Sequence, residues 1–153
     1  MKIVVDSNII FSTILNTESK IGQLVVNGSK YFEFYTVGLL KDEILKHKDK
    51  IIDLTNYSED KFVEIFQLIS NKLIFVDDIL LRDKDLNKAI ELVSNIDQDD
   101  AFFVALTNHL NANLWTGDKR LIKGLRTKGY MQVLTTEELY DIYLDKQLKI
   151  SRK

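Results

Sequence analysis

The sequence of 153 residues holds no cysteine and no proline. The missing cysteines exclude disulfides, thiolate nucleophiles, iron–sulfur clusters and Cys-ligated zinc. At average usage a chain this long would hold about 8 prolines. Having none argues against Pro-rich linkers and removes the main breaker of helices. Histidine is scarce as well, with only His47 and His109, so an all-histidine metal site is disfavoured. A metal site would have to be built from carboxylates, which points to hard cations such as Mg²⁺ or Mn²⁺. No run of about 18 apolar residues occurs, so no membrane-spanning helix is expected. The start, Met1-Lys2-Ile3-Val4-Val5-Asp6, reaches an acid at once and has no signal-peptide core. These features read as a cytoplasmic protein with no membrane partner.

What is present is 45% apolar residues, enough to fill the core of one domain over residues 1–153. The charge is nearly balanced, 21 Lys+Arg against 23 Asp+Glu, which at face value weakens a nucleic-acid partner. No internal repeat or low-complexity tract interrupts the chain. Short apolar runs alternate with helical periods. Ile3–Val5, Tyr31–Val37, Leu73–Val76, Leu114–Thr116 and Met131–Leu134 read as strands. Ile9–Leu15, Ile21–Val26, Leu39–Ile52, Ala101–Leu110, Asp118–Lys128 and Glu137–Leu144 read as helices, as do the periods around Phe62–Ile69 and Leu86–Val93. Strands separated by helices predict an α/β fold with a parallel sheet and right-handed crossovers. The first strand should lie centrally. Ligands in such sheets gather at the C-terminal strand ends, near the point where the winding reverses.

The acids fall where that rule puts a site. Asp6 ends the first strand, and Asp118 follows the fourth across Thr116-Gly117. Glu43 lies early in the helix after the second strand, on the flank of a Leu40/Ile44/Ile51 stripe and half turned to the core. Asp97, Asp99 and Asp100 open the apolar helix 101–110. Two carboxylates about 5 Å apart repel by roughly 3 kcal/mol at an effective dielectric of about 20. Such a cluster must share protons or hold a cation. A divalent ion held there would acidify a water, orient it and stabilise charge developing on a phosphate. Each acid also has a plainer reading as a helix cap or first-turn residue. The coincidence of four at one sheet edge favours the functional one.

The segments Val4-Val5-Asp6-Ser7-Asn8-Ile9-Ile10, Lys41–Lys48 around Glu43, Asp97–Leu106, and Leu114-Trp115-Thr116-Gly117-Asp118-Lys119-Arg120-Leu121 resemble those of PIN-domain nucleases. The similarity runs in order over residues 2 to about 135. It implies a three-layer α/β/α sandwich around a five-stranded parallel sheet in the order 3-2-1-4-5. It also implies an acidic Mg²⁺/Mn²⁺ pocket that hydrolyses RNA phosphodiesters. The family's acids map onto Asp6, Glu43, Asp100 and Asp118, with Asp97 an auxiliary ligand and Asp99 turned elsewhere. Asn8 and Thr116 would orient an acid or a water. Many small members are VapC-type toxins of toxin–antitoxin pairs, which implies a homodimer and an antitoxin protein as partner. Lys119, Arg120 and Lys123 begin a wholly basic segment beside Asp118, suited to an RNA backbone. His47 is expected in the core or behind the site, Trp115 in the sheet core, and the basic tail 146–153 either on RNA or in solvent. Two rivals fit less well. A phosphoacceptor receiver would need a lysine ending the fifth strand, and a haloacid-type phosphatase would need an acid where Asn8 stands. A PIN-like RNA-processing nuclease without an antitoxin and a non-catalytic, metal-stabilised binding subunit remain open.

Overall fold

The computed structural model describes residues 1–151, with side chains to Lys149. Five parallel strands form its sheet: β1 Lys2–Val5, β2 Glu33–Val37, β3 Ile74–Val76, β4 Asn113–Trp115 and β5 Val133–Leu134. Their order is β3-β2-β1-β4-β5, as expected, so β1 is central. The chain winds outward from β1 to β3, then crosses back to β4 beside β1. Register places Val5 opposite Trp115, and the Asp6 N–H donates to the Trp115 carbonyl at 3.0 Å. The ends of β1 and β4 therefore lie side by side at the reversal.

Nine helices are described: α1 Ser7–Leu15, α2 Lys20–Gly28, α3 Leu39–Lys46, α4 Lys48–Thr55, α5 Glu59–Ser70, α6 Asp83–Val93, α7 Ala101–Leu110, α8 Lys119–Thr127 and α9 Thr136–Ser151. One group packs α1 with α2, α4 and α5, and α2 with α9. The other packs α6 with α7 and α8, and α7 also lies on β1, β2 and β4. The two groups flank the sheet as the outer layers of an α/β/α sandwich. The β-branched run Ile3-Val4-Val5 is wholly buried between them, as is Trp115, which is the near-continuous apolar pattern of a central parallel strand. Helix α7 is apolar almost all round, with Ala101 and Phe103–Thr107 buried.

Three expectations change in detail. The single helix expected over Leu39–Ile52 is two, broken at His47 (φ −95°, ψ 12°). The His47 N–H is shared between the Glu43 and Ile44 carbonyls, at 3.1 and 3.2 Å. That three-residue tightening, not a proline or glycine, ends the helix. It swings His47 off the Leu40/Ile44 stripe and into solvent, against the edge of the Phe11 ring, so His47 is not a core residue. Ile51 rejoins the core from α4.

Helix α9 is longer than Glu137–Leu144, running to Ser151. The tail expected over 146–153 is therefore helical as far as it is described, and residues 152–153 lie outside the described residues. Its start is a capping box: Thr135 Oγ1 accepts from the Glu138 N–H, and Glu138 Oε1 from the Thr135 N–H, at 3.1 and 2.9 Å. Among the described residues no helix is long and apolar enough to cross a membrane.

Candidate metal centre

The site grows from the C-terminal ends of β1 and β4. Asp6 is the first residue past β1 and the N-cap of α1, yet it is only 1% exposed. Three donors hold its carboxylate. The Ser7 N–H reaches Oδ1 at 2.8 Å. The Thr116 hydroxyl and the Asn8 Nδ2 reach Oδ2 at 2.7 and 3.2 Å. Burial outweighs these bonds and pushes the Asp6 pKa upward, with the nearby charge of Asp118 adding to it.

Asn8 and Thr116 tie the two strand ends together. The Asn8 Nδ2 also donates to Thr116 Oγ1 at 3.2 Å, and its Oδ1 accepts from the Gly117 N–H at 3.1 Å. Thr116 Oγ1 in turn accepts from the Asp118 N–H at 3.1 Å. Both side chains thus fix the Asp6 carboxylate and the turn that leads to Asp118. Asp118 is a true N-cap, its Oδ1 accepting from the Arg120 and Leu121 N–H groups at 3.0 and 3.1 Å. The cap occupies one carboxylate oxygen and leaves the other without a bond. Capping and ligation are therefore compatible roles for the same residue.

Asp100 is the most perturbed acid. It closes the 3₁₀ turn Gln98–Asp100 directly before α7, half-buried. Its Oδ2 is buried without a hydrogen-bond partner. Burial, then the charges of Asp6, Asp97, Asp118 and Asp99, raise its pKa to about 7. The structure therefore brings Asp6, Asp100 and Asp118 within electrostatic reach of one another from three separate segments. Asp97 and Asp99 are exposed, and the Asp97 Oδ1 accepts from the Asp99 N–H at 3.0 Å.

Glu43 differs from its expected placement. It is exposed rather than half turned to the core, forms no hydrogen bond or ion pair with the aspartates, and is not among the charges that raise Asp100. Leu40 and Ile44 are the residues α3 buries, and Glu43, on the flank of that face, is left uncovered.

The chain's family is decided at this edge. A family model described as the PIN domain matches residues 4–142, from inside β1 into α9, and spans all the acids above. The chain belongs to the PIN-domain family. PIN domains are generally nucleases that use a divalent metal. No curated protein matches the sequence significantly.

The PIN-domain acids suit such an ion in chemistry. Every donor is an oxygen. The orphaned Asp100 Oδ2 lacks the partner a buried carboxylate needs, and burial, with the neighbouring aspartates after it, raises its pKa. Among the described residues no three acidic or histidine side chains stand close enough to form a ready-made cage. Mg²⁺ fits that openness, because it keeps several waters and is bound by one or two carboxylates.

Helix α8 adds the cationic neighbour. Two bases of the segment 119–128 are committed to the fold. Arg126 pairs with Glu138 at 2.7 Å. Just past the helix, Lys128 Nζ donates to the Leu92 carbonyl and the Asn95 Oδ1, both at 2.6 Å, closing the end of α6. Lys119, Arg120 and Lys123 are exposed and unpaired. Packing thus separates the bases of 119–128: Arg126 and Lys128 hold the fold, and Lys119, Arg120 and Lys123 stay open.

Proposed function

We propose that the protein is an endoribonuclease dependent on Mg²⁺ or Mn²⁺, and that it is a VapC-type toxin of a type II toxin–antitoxin pair. The observation that carries the nuclease reading is the Asp100 carboxylate, raised to about 7 by burial and by neighbouring aspartates, with one oxygen buried and unpartnered. Asp6, Glu43, Asp100 and Asp118 would hold the ion, with Asp97 auxiliary. A bound divalent ion supplies Lewis-acid stabilisation of charge on the phosphate and acidifies water at the site. The Thr116 and Asn8 side chains fix the Asp6 carboxylate, and the Arg120 and Leu121 amides fix that of Asp118. Lys119, Arg120 and Lys123 hold the RNA backbone. Single-stranded or looped RNA is the favoured substrate, because its phosphates and bases are accessible. The toxin role rests on the resemblance carried by the order of its motifs; it carries with it a homodimer, an antitoxin and action in the cytoplasm.

The test is RNA cleavage by the pure protein in Mg²⁺, Mn²⁺ or EDTA, beside an Asp6→Asn variant. Cleavage is expected only with metal and only with Asp6 intact; equal activity in EDTA overturns the reading. Growth arrest on expression of the wild type, relieved by Asp6→Asn, tests the toxin role. Metal-dependent cleavage without growth arrest would instead indicate an RNA-processing nuclease. A second reading, a non-catalytic binding subunit stabilised by metal, is favoured by the exposure of Glu43. It predicts a metal-dependent Tm with no cleavage.

A further inference from the structure

The sheet has a second chemically loaded edge. Between the start of α6, the end of α7 and the segments leading into β4 and β5 lies an open cavity of about 460 Å³. Arg82, Lys84 and Lys88 line it, with one carboxylate, Asp85. Asn108, Asn111 and Gln132 add side-chain amides. Ala112 and Gln132 directly precede β4 and β5, so the cavity opens at the N-terminal strand ends, the opposite edge from Asp6 and Asp118.

The distribution of charge is not what composition alone would give. Residues 77–100 carry eight acids and three bases. All three bases of that acidic stretch line this one cavity. Lys84 and Lys88 stand one helical turn apart on α6 and so share a face. Neither forms an ion pair or hydrogen bond among the described residues. Asp85 is 5% exposed and engaged by Arg82, whose Nε lies 2.6 Å from Oδ2. It neutralises one cation and leaves two unbalanced. The amide of Asn108 is half satisfied: Oδ1 accepts from the Tyr130 hydroxyl at 2.9 Å, and Nδ2 is buried with no acceptor. Thus the walls offer surplus cations and amide donors, and the one carboxylate among them is already paired.

We infer that this cavity is a second binding site, for a phosphate monoester of up to mononucleotide size. The surplus charge selects an anion. The guanidinium and two ammonium groups match phosphate oxygens. The volume lies within the range of small-molecule sites and far exceeds a lone phosphate. The amides of Asn111 and Gln132 are both donors and acceptors, suited to the polar edge of a base or sugar. A free mononucleotide and the terminal phosphate of an RNA strand share this chemistry.

The test is calorimetry and ³¹P NMR on the full chain in EDTA, which removes divalent ions from the acidic edge. The probes are inorganic phosphate, adenosine 5′-monophosphate, and a short RNA with a 5′-phosphate beside its 5′-hydroxyl twin. Adenosine monophosphate is expected to bind, and Lys88→Gln to weaken it by about tenfold, the loss of one charge-assisted contact. Arg82→Gln should do the same. Because Arg82 also holds Asp85, the exposed Lys88 keeps the test valid if that variant folds poorly. Lys50→Gln, on α4 in the opposite layer, should leave the affinity unchanged. Preference for the 5′-phosphorylated RNA over both its twin and the free nucleotide would assign the site to strand ends. No binding of any probe at about 1 mM, or affinity lost with Lys50→Gln but not with Lys88→Gln, overturns the proposal. None of these readouts depends on RNA cleavage.

Discussion

The two edges of the sheet handle a buried aspartate in opposite ways. At the N-terminal edge Asp85 is 5% exposed and has Arg82 at 2.6 Å, with His109 Nδ1 at 3.8 Å. At the C-terminal edge Asp100 has a buried oxygen with no partner, and its charged neighbours are other aspartates. A buried charge is tolerable only when paired or neutralised. The fold supplies the counter-charge to Asp85 and withholds it from Asp100. That difference separates an acid that serves the structure from one that the proposed function assigns to a cation.

The largest expected effect lies in activity. Replacing Asp6, Asp100 or Asp118 by Asn should each lower metal-dependent RNA cleavage by about 100-fold or more. Asp85→Asn should leave the rate nearly unchanged, with both measured as initial rates in Mn²⁺. Stability should break the comparison the other way. Asp85→Asn strips Arg82 of its partner and should cost about 2 kcal/mol in urea unfolding. In EDTA at pH 8, Asp100→Asn should stabilise by about 1–2 kcal/mol. A shift from 3.8 to about 7 bounds the gain at roughly 4 kcal/mol, and partial exposure reduces it.

The pH dependence follows with its sign. An acid whose folded pKa lies above its unfolded value weakens the fold as pH rises between the two. Without metal, Tm should therefore fall as pH rises from about 4 to about 7, the interval set by Asp100. Asp6, also shifted upward, acts in the same direction. Asp100→Asn should flatten the slope. Mn²⁺ at pH 7.5 should restore the lost Tm in the wild type and do much less in Asp100→Asn. A Tm that rises over this interval in EDTA would contradict the assignment of Asp100 as an unpaired acid.

The acidic edge was legible because each acid follows a recognisable element: Asp6 a β-branched run, Asp118 a short apolar strand and turn, Asp100 the start of an apolar helix. Strand ends in a parallel sheet converge, so sequence order alone brought them together. Glu43 misled because a helical wheel fixes an angle but not how much of a short helix is covered. His47 misled because the break after Lys46 involves neither Pro nor Gly; a shared N–H bond ends the helix. The cationic cavity was illegible. Arg82, Asn108 and Gln132 come from distant segments, and no motif links them. The division of the bases over 119–128 rests on packing, since the partners of Arg126 and Lys128 lie on α9 and around the end of α6.

That last division gives the smallest effect and the finest test of the nuclease reading. Lys123 is exposed and unpaired, whereas Arg126 is tied to Glu138 at 2.7 Å and to the Val133 carbonyl at 3.2 Å. If α8 holds RNA through its free bases, Lys123→Gln should reduce the slope of log affinity against log salt by about 0.7, the value per phosphate contact for a single strand. Binding would be measured with Asp6→Asn in the background to prevent cleavage. Arg126→Gln should leave the slope in place and lower Tm instead, because it removes the counter-charge of Glu138, whose pKa is held below the usual range by the Thr135 N–H and by Arg126. Equal salt slopes for Lys123→Gln and the parent would mean that the strand runs elsewhere. The basic face of α8 would then serve only solvation, although it begins beside Asp118.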